Sequence, residues 1–414
     1  MTVSSATLRD FRRFGDRASL SAVLRRPWLR ILGPAFAVSV GYIDPGNWAT
    51  DLGAGAYGYR LLWVVFAANA VAVVLQLAVS QVTIARGEDL ATIISRRWKR
   101  GTTAFWTIFQ GAAIATDVAE FSGIVLGIEL LFHCSLAVSA LAGVAVVASI
   151  LCLTDRSSKG FEYLLIGAIA LISIGCLYQL PMLHPSWSAV LKGATTPQIP
   201  DAGALVFVVA IIGATVMPHN LFLHSSLVQK NCTGCTDEDR RKRGGFFARE
   251  TLIALNAAAL INATILIVGA ALNGAEGSFE KAFASLVPVA AGSAIVFGAA
   301  LLLSGVAASM TATISGDYIF AAFSPVRISP VVRRAVTLVP AALVIASGVS
   351  ITNLLIWSQV ALALVLPAVL IPLVFIMLER HGGVRTCGPK LIASTIVMSF
   401  LCVAFDAVML LQTV

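Results

Sequence analysis

The chain has 414 residues, of which 58% are hydrophobic and only 12% are charged, and its formal net charge at pH 7 is +8. Its mean hydropathy of +0.89 is far above that of soluble globular proteins, which excludes a soluble enzyme or binding module. Basic loops on one side of a membrane, in contact with anionic lipid, explain the positive charge, so we expect no nucleic-acid partner.

Residues 1–28 form a basic tail. The segment up to residue 30 lacks the short apolar core followed by small residues that a cleavable signal peptide needs. We therefore expect the N-terminus to stay in the cytosol. The arginines of this segment are Arg9, Arg12, Arg13, Arg17, Arg25, Arg26 and Arg30.

Eleven hydrophobic runs along the chain are long enough to cross about 30 Å of hydrocarbon. With the N-terminus inside, all but three of the 29 Lys and Arg residues fall in cytosolic segments, as the positive-inside rule requires. Losing one span would reverse this bias in every later loop. The sequence thus predicts an all-α, multi-pass protein of the cell (inner) membrane, with eleven transmembrane helices and an extracytoplasmic C-terminus. The runs are 29–54, 60–85, 104–132, 134–153, 161–181, 203–229, 247–272, 286–322, 334–350, 353–378 and 391–412.

Two of these spans contain similar polar interruptions. The first span includes Asp44-Pro45-Gly46-Asn47, and the sixth includes Met217-Pro218-His219-Asn220. Because the two spans are five apart in chain order, two repeats at 29–181 and 203–379 would have opposite orientations in the membrane, and 390–414 would be an additional eleventh span. Interrupted helices at matching positions of inverted repeats indicate a transport site near the membrane midplane.

The residues at the interruptions predict the chemistry of that site. Proline and glycine break a helix, and in lipid the freed backbone groups are tolerated only around a protein-lined cavity. An intramembrane Asp44 costs about 2.5–3.5 kcal/mol on insertion scales, so we expect either a ligand or a paired donor beside it. Met217 adds a thioether, which favours transition metals such as Mn²⁺ or Fe²⁺ over hard Mg²⁺ or Ca²⁺.

These motifs resemble the Nramp family of metal-ion transporters, the natural resistance-associated macrophage proteins. The resemblance runs from about Pro27 to Leu411 and also includes Ala115-Thr116-Asp117-Val118-Ala119-Glu120 in span three. It implies a LeuT-like 5+5 inverted repeat with helices 1 and 6 broken. It further implies a metal held by Asp44, Asn47, Met217 and the carbonyls of Ala214 and Gly41, with Gln359 of the matching Ser358-Gln359 pair joining when the site occludes.

Titratable groups beyond the metal ligands suggest a proton route. Asp117 and Glu120 are three residues apart, on one face of a helix, and His219 lies two residues from Met217. The resemblance implies that protons leave through these groups toward the cytosol, with Arg333 and Arg334 as a salt-bridged exit or inner gate. A structural ion pair of Asp117 and Glu120 with a basic residue remains the alternative, and His224 is either a second relay or a hydrogen-bonded helix histidine.

We therefore expect an alternating-access importer of Mn²⁺, and also of Fe²⁺, with proton cotransport. Its partners would be the metal ion, protons and the bilayer, without a cofactor or an obligate protein partner. A Mg²⁺ transporter of the same fold is an alternative, although such a protein would be expected to lack Met217. An amino-acid transporter is disfavoured because Asp44 would repel a substrate carboxylate. An intramembrane aspartyl protease using Asp44 and Asp117 would lack its expected Gly-x-Gly-Asp motif.

Overall fold

The computed structural model describes residues 33–154, 159–272, 278–289, 292–324, 329–381 and 384–413. The basic tail at 1–28 lies outside these residues. The described chain is helical, as predicted, apart from two paired strands of two residues each, in which Arg380 lies opposite Arg385.

The described residues contain seventeen α-helices, α1 to α17 in chain order. They are α1 (Pro34–Ser39), α2 (Pro45–Ala54), α3 (Leu62–Arg86), α4 (Leu90–Arg97), α5 (Thr102–Phe132), α6 (Leu136–Thr154), α7 (Lys159–Gln179), α8 (Trp187–Thr195), α9 (Ala202–Thr215), α10 (Pro218–Cys232), α11 (Asp237–Ala271), α12 (Phe279–Leu286), α13 (Ser293–Phe323), α14 (Pro330–Ala346), α15 (Ile351–Val365), α16 (Pro367–Leu378) and α17 (Pro389–Thr413). Strands β1 (Arg380–His381) and β2 (Val384–Arg385) precede α17.

Within the described part, six helical stretches have the length and apolar composition needed to cross a membrane. They are Pro45–Arg86, Ala202–Cys232, Glu238–Ala271, Ser293–Phe323, Ile351–Leu378 and Pro389–Gln412. Predicted spans at 104–132, 134–153, 161–181 and 334–350 coincide with α5, α6, α7 and α14. The count of eleven spans remains a prediction.

The first long stretch turns between α2 and α3. Residues Gly55–Leu61 form a 3₁₀ segment in which Gly58 has φ 63° and ψ −142°. Only glycine adopts such a conformation without strain. This turn separates the predicted first and second spans.

Helices α5 and α13 cross closely at the centre of the molecule. A Cβ atom added to Gly305 would lie 2.9 Å from the Ile124 nitrogen and 3.1 Å from the Glu120 carbonyl oxygen. Small residues allow this approach of two backbones, which is how helices pack within membranes. The crossing holds the acidic segment of α5 against α13.

Glu379, just after α16, joins three elements on the predicted cytosolic side. It pairs with Arg86 of α3 at 3.1 Å and with Arg97 of α4 at 3.0 Å. The hydrogen bond from Arg97 and the pairing with Arg86 lower the pKa of Glu379. The carboxylate therefore stays charged and paired at neutral pH.

Candidate functional site

The first interruption lies between α1 and α2. A 3₁₀ turn at Val40–Ile43 follows α1, and Asp44 is extended, with φ −78° and ψ 167°. Asp44 then caps α2, because its Oδ1 accepts the Asn47 N–H at 2.8 Å, while Pro45 begins the helix without a backbone donor. Asp44 is 3% exposed, so its carboxylate is held inside the protein.

The second interruption lies between α9 and α10. After Thr215 the backbone leaves the helix at Val216 (φ −103°, ψ 49°) and Met217 (φ −58°, ψ 126°), and α10 begins at Pro218. The Met217 carbonyl accepts the Asn220 N–H at 3.1 Å. Both polar motifs found in the sequence thus coincide with departures from helical backbone.

The two interruptions touch each other. The Asn47 side-chain nitrogen donates to Asp44 Oδ1 at 2.6 Å and to the Ala214 carbonyl at 2.9 Å. Asn220 donates to Met217 Sδ at 3.5 Å. The same Asn220 amide packs on Gly41, where an added Cβ would lie 2.6 Å from its nitrogen. These contacts bring together the elements that carry five of the predicted metal-site residues.

Gln359 of α15 completes the predicted set. Its amide packs over Gly46, at a point where an added Cβ would also lie 2.8 Å from Asp44 Oδ2. Gln359 Nε2 donates to Ser358 Oγ at 3.1 Å. Its Oε1 is buried and has no hydrogen-bond partner among the described residues, so this side chain keeps a free oxygen acceptor.

The arrangement suits a cation with mixed ligands. The Asn47 amide nitrogen is a donor and lies between two acceptors, Asp44 Oδ1 and the Ala214 carbonyl. A bound cation would occupy the same kind of position. Rotation of the amide would turn its oxygen toward Asp44. Asp51, two turns further along α2, is 1% exposed and neither of its oxygens has a partner in the described chain. No group of three or more His, Cys, Asp or Glu residues in the described chain is placed to hold a metal, so amide, carbonyl and thioether ligands would be needed.

Asn262 of α11 also belongs to this region, although it was not predicted from the sequence. Its Nδ2 donates to the Tyr42 carbonyl at 2.9 Å and lies 3.2 Å from Asn47 Oδ1. This residue therefore spans the first interruption and fixes the present orientation of the Asn47 amide. An asparagine within the apolar run Ala259-Leu260-Ile261-Asn262-Ala263 was the signal that could have identified it.

A buried ion-pair network lies beside this region. Arg334 of α14 binds Asp117, contacts Glu120 Oε2 at 3.2 Å, and donates to Ser309. The Arg334 and Asp117 side chains are 2% and 3% exposed. The structural ion pair considered as an alternative from the sequence is therefore present, whereas a role in proton movement remains a prediction.

The neighbouring Arg333 has a different partner. It pairs with Asp317 of α13 at 2.8 Å and donates to the Thr313 carbonyl at 2.9 Å. Asp317 was not predicted as a partner, because nothing in the local pattern links it to residues of α14. Arg334 thus fastens α14 to α5 and α13, and Arg333 fastens it to α13.

His219 lies between the metal-site elements and the arginines. Its Nδ1 is 3.3 Å from Thr116 Oγ1. A cavity of about 20 Å³ is lined by His219, Asp117, Arg333 and Arg334, among others, and has room for about one water molecule.

His224 is hydrogen-bonded, as one of the two alternatives held. Its Nδ1 contacts Gln76 Oε1, and Gln76 Nε2 donates to the Tyr42 hydroxyl at 2.8 Å. This chain of contacts joins α10, α3 and the turn before Asp44. A relay role for His224 stays untested.

Residues 35–412 match the family model described as natural resistance-associated macrophage protein-like, or Nramp. The divalent metal cation transporter MntH of Verminephrobacter eiseniae is 37% identical over 393 residues, which cover 93% of this chain and 90% of the relative. MntH of Bacillus subtilis is 37% identical over 358 residues, covering 84% of each chain.

Two solved structures extend the comparison to the fold. A manganese transporter of Eremococcus coleocola matches with a TM-score of 0.83 at 28% identity, covering 93% of this chain and 87% of that one. Mhp1, a nucleobase-cation-symport-1 family transporter, matches with a TM-score of 0.53 at 17% identity, covering 92% and 91%, and shows a shared fold alone.

These relatives are transporters, so the expectation that the chain is not an enzyme is confirmed by its family, and any metal is a substrate rather than a cofactor. The apolar helices and these matches make the chain a multi-pass membrane protein with a LeuT-like fold. The protein belongs to the Nramp family of natural resistance-associated macrophage protein-like proteins.

Proposed function

We propose that the chain imports divalent transition-metal ions, Mn²⁺ and also Fe²⁺, by alternating access with proton cotransport. The observation that carries this proposal is the meeting of two helix interruptions, at which Asn47 bridges Asp44 and the Ala214 carbonyl. A carboxylate, an amide and a carbonyl provide hard oxygen ligands. A bound cation would stabilise such a buried polar cluster in a membrane.

The thioether of Met217 selects among cations. Oxygen ligands alone suit Mg²⁺ and Ca²⁺, whereas sulfur contributes little to either ion and favours softer transition metals. Met217 is 1% exposed and its sulfur faces the Asn220 amide. In the proposed bound state, Asp44, Asn47, Met217, Gln359 and the carbonyls of Ala214 and Gly41 hold the metal.

The architecture proposed for transport is an eleven-span protein with two inverted repeats at 29–181 and 203–379 and an added span at 390–414. The N-terminus would be cytosolic and the C-terminus outside, in the cell (inner) membrane. The names of the relatives support the proposed transport of a divalent metal, since MntH is a divalent metal cation transporter and the Eremococcus coleocola protein is a manganese transporter.

Protons would leave the site along a route from His219 to Asp117 and Glu120, with Arg333 and Arg334 at its inner end. The cavity shared by His219, Asp117 and both arginines supports this route. Protons are not required as fuel, because a divalent cation crossing about 100 mV gains roughly 4.6 kcal/mol, twice the value for a single charge. That gain alone supports about a thousandfold accumulation.

The test is uptake by the purified protein in liposomes that contain both a Mn²⁺-quenched dye and a pH dye. We expect an inward-negative potential to drive Mn²⁺ entry, together with acidification of the lumen. Protein-free liposomes are the control. Absence of Mn²⁺ entry would contradict the transport proposal, and Mn²⁺ entry without acidification would contradict the proton coupling.

A further inference from the structure

A buried glutamate on α11 contacts the start of α1. Glu250 is 4% exposed, and its Oε1 accepts the Phe36 N–H at 2.8 Å, across 214 positions of sequence. Glu250 is neither a proposed metal ligand nor part of the proposed proton route. A carboxylate at such a position needs a structural reason, since an intramembrane charge is costly.

The start of α1 supplies that reason. The first N–H groups of a helix have no partner within the helix, and in a membrane they must be satisfied by protein. Pro34 has no N–H, and the Gly33 and Ala35 N–H groups also face the Glu250 carboxylate. Glu250 Oε2 makes no hydrogen bond within the described chain. The hydrogen bond that joins the carboxylate to this helix start is therefore the one from the Phe36 N–H to Oε1. A negative charge at a helix N-terminus is also electrostatically favourable.

Gly33 makes room for the carboxylate. A Cβ atom added there would lie 2.8 Å from Glu250 Cδ and 2.9 Å from Oε1, closer than the two groups can approach. Glycine at this position therefore allows the Glu250 head group to reach the helix start.

The helix held by Glu250 leads directly into the metal site. Segment Pro34–Ile43 ends directly before Asp44 and contains Gly41. Helix α11 touches this region again through Asn262, which donates to the Tyr42 carbonyl at 2.9 Å. Beyond the interruption, Gly269 packs on the Leu52 carbonyl, where an added Cβ would lie at 2.5 Å. Of these three residues of α11, Glu250 alone has an ionisable side chain. It contacts the end of Pro34–Ile43 that lies farther from Asp44.

We propose that Glu250 is a positioning residue for the metal site, which fixes the segment Pro34–Ile43 on α11 and thereby sets where Gly41 and Asp44 stand. This inference rests on the proposed function, because its main readout is metal uptake. Without the carboxylate, the segment loses its fixed end, and the arrangement that binds metal becomes a smaller fraction of the population. Apparent affinity falls by that fraction.

The test compares Glu250→Ala and Glu250→Gln in the full chain, with Mn²⁺ uptake in liposomes and hydrogen exchange of the peptide covering residues 33–43. We expect Glu250→Ala to raise the KM for Mn²⁺ about tenfold, with a smaller change in maximal rate, and to speed exchange in that peptide. Glu250→Gln keeps an oxygen acceptor and should stay within about threefold of wild type. Glu238→Gln is the matched control, since Glu238 lies on the same helix but is exposed and pairs with Lys242.

An unchanged KM in Glu250→Ala, with unchanged exchange at residues 33–43, would overturn the inference. A fall in maximal rate alone would overturn it as well, because that result indicates a role outside metal binding. If Glu250→Ala does not fold, Gly33→Ala replaces it and should raise the KM by crowding the carboxylate; an unaltered KM there also counts against the inference. If wild-type protein itself takes up no Mn²⁺, the proposed function fails, whereas faster exchange in the variant would still support the contact's role in holding the segment.

Discussion

Asp44→Asn should reduce Mn²⁺ uptake in liposomes by at least about a hundredfold, which corresponds to about 2.8 kcal/mol. The substitution removes the negative charge that attracts a divalent cation. It keeps an oxygen that can accept the Asn47 N–H, a bond now made at 2.8 Å, so the cap of α2 and the fold should persist. Loss of uptake would then report on the ligand rather than on folding.

The matched control for Asp44→Asn is Asp201→Asn. Asp201 also caps a helix, since it accepts the Ala204 N–H at the start of α9 at 2.8 Å, but it is exposed and lies at the other end of that helix from the metal site. We expect uptake close to wild type in Asp201→Asn. If Asp44→Asn took up as much Mn²⁺ as Asp201→Asn, Asp44 would not be a metal ligand.

Arg334→Met should destabilise the protein by about 3–5 kcal/mol, because it leaves the Asp117 and Glu120 carboxylates buried without their common partner. Thermal unfolding in detergent, followed by intrinsic fluorescence, measures this effect. Acidification of the lumen during Mn²⁺ entry should be lost as well, since the proposed proton route ends at the same arginine.

Arg97→Met provides the comparison for Arg334→Met. Arg97 also pairs with a carboxylate, that of Glu379, but its side chain is 57% exposed, and exposed pairs contribute about 0–1 kcal/mol. An Arg334 variant as stable as the Arg97 variant would show that the buried network is not structural. Retained acidification of the lumen in Arg334→Met vesicles would separate proton movement from this residue.

The positions of the two interruptions were predictable from the sequence because their causes are local. Pro45 and Pro218 each remove a backbone donor, and the helices α2 and α10 begin at these residues. The approach of Asn47 to the Ala214 carbonyl was implied by the resemblance, and the contact is present at 2.9 Å. Local chemistry and a recognisable motif pair therefore predicted which elements meet here, whereas metal binding by them remains a prediction.

The supporting residues were not predictable in the same way. Asn262 and Glu250 act on Tyr42 and Phe36, more than 200 positions away in sequence, and no local periodicity encodes such pairs. Arg334 meets Asp117 across 217 positions; the sequence suggested the acids and the arginines separately but not which arginine pairs with which acid. Asp317, which binds Arg333, was not predicted as its partner, because the two residues lie on different helices.

The proposed metal site contains both Met217 and Asp44 and prefers transition metals. Its most direct test is Mn²⁺ uptake into liposomes in the presence of a hundredfold excess of Ca²⁺ or Mg²⁺, for wild type and for Met217→Ala. We predict that wild-type uptake persists and that uptake by Met217→Ala collapses under the same excess, because only oxygen ligands remain. Abolition of wild-type uptake by either hard cation, or undiminished selectivity in Met217→Ala, would contradict selection of transition metals by the Met217 thioether.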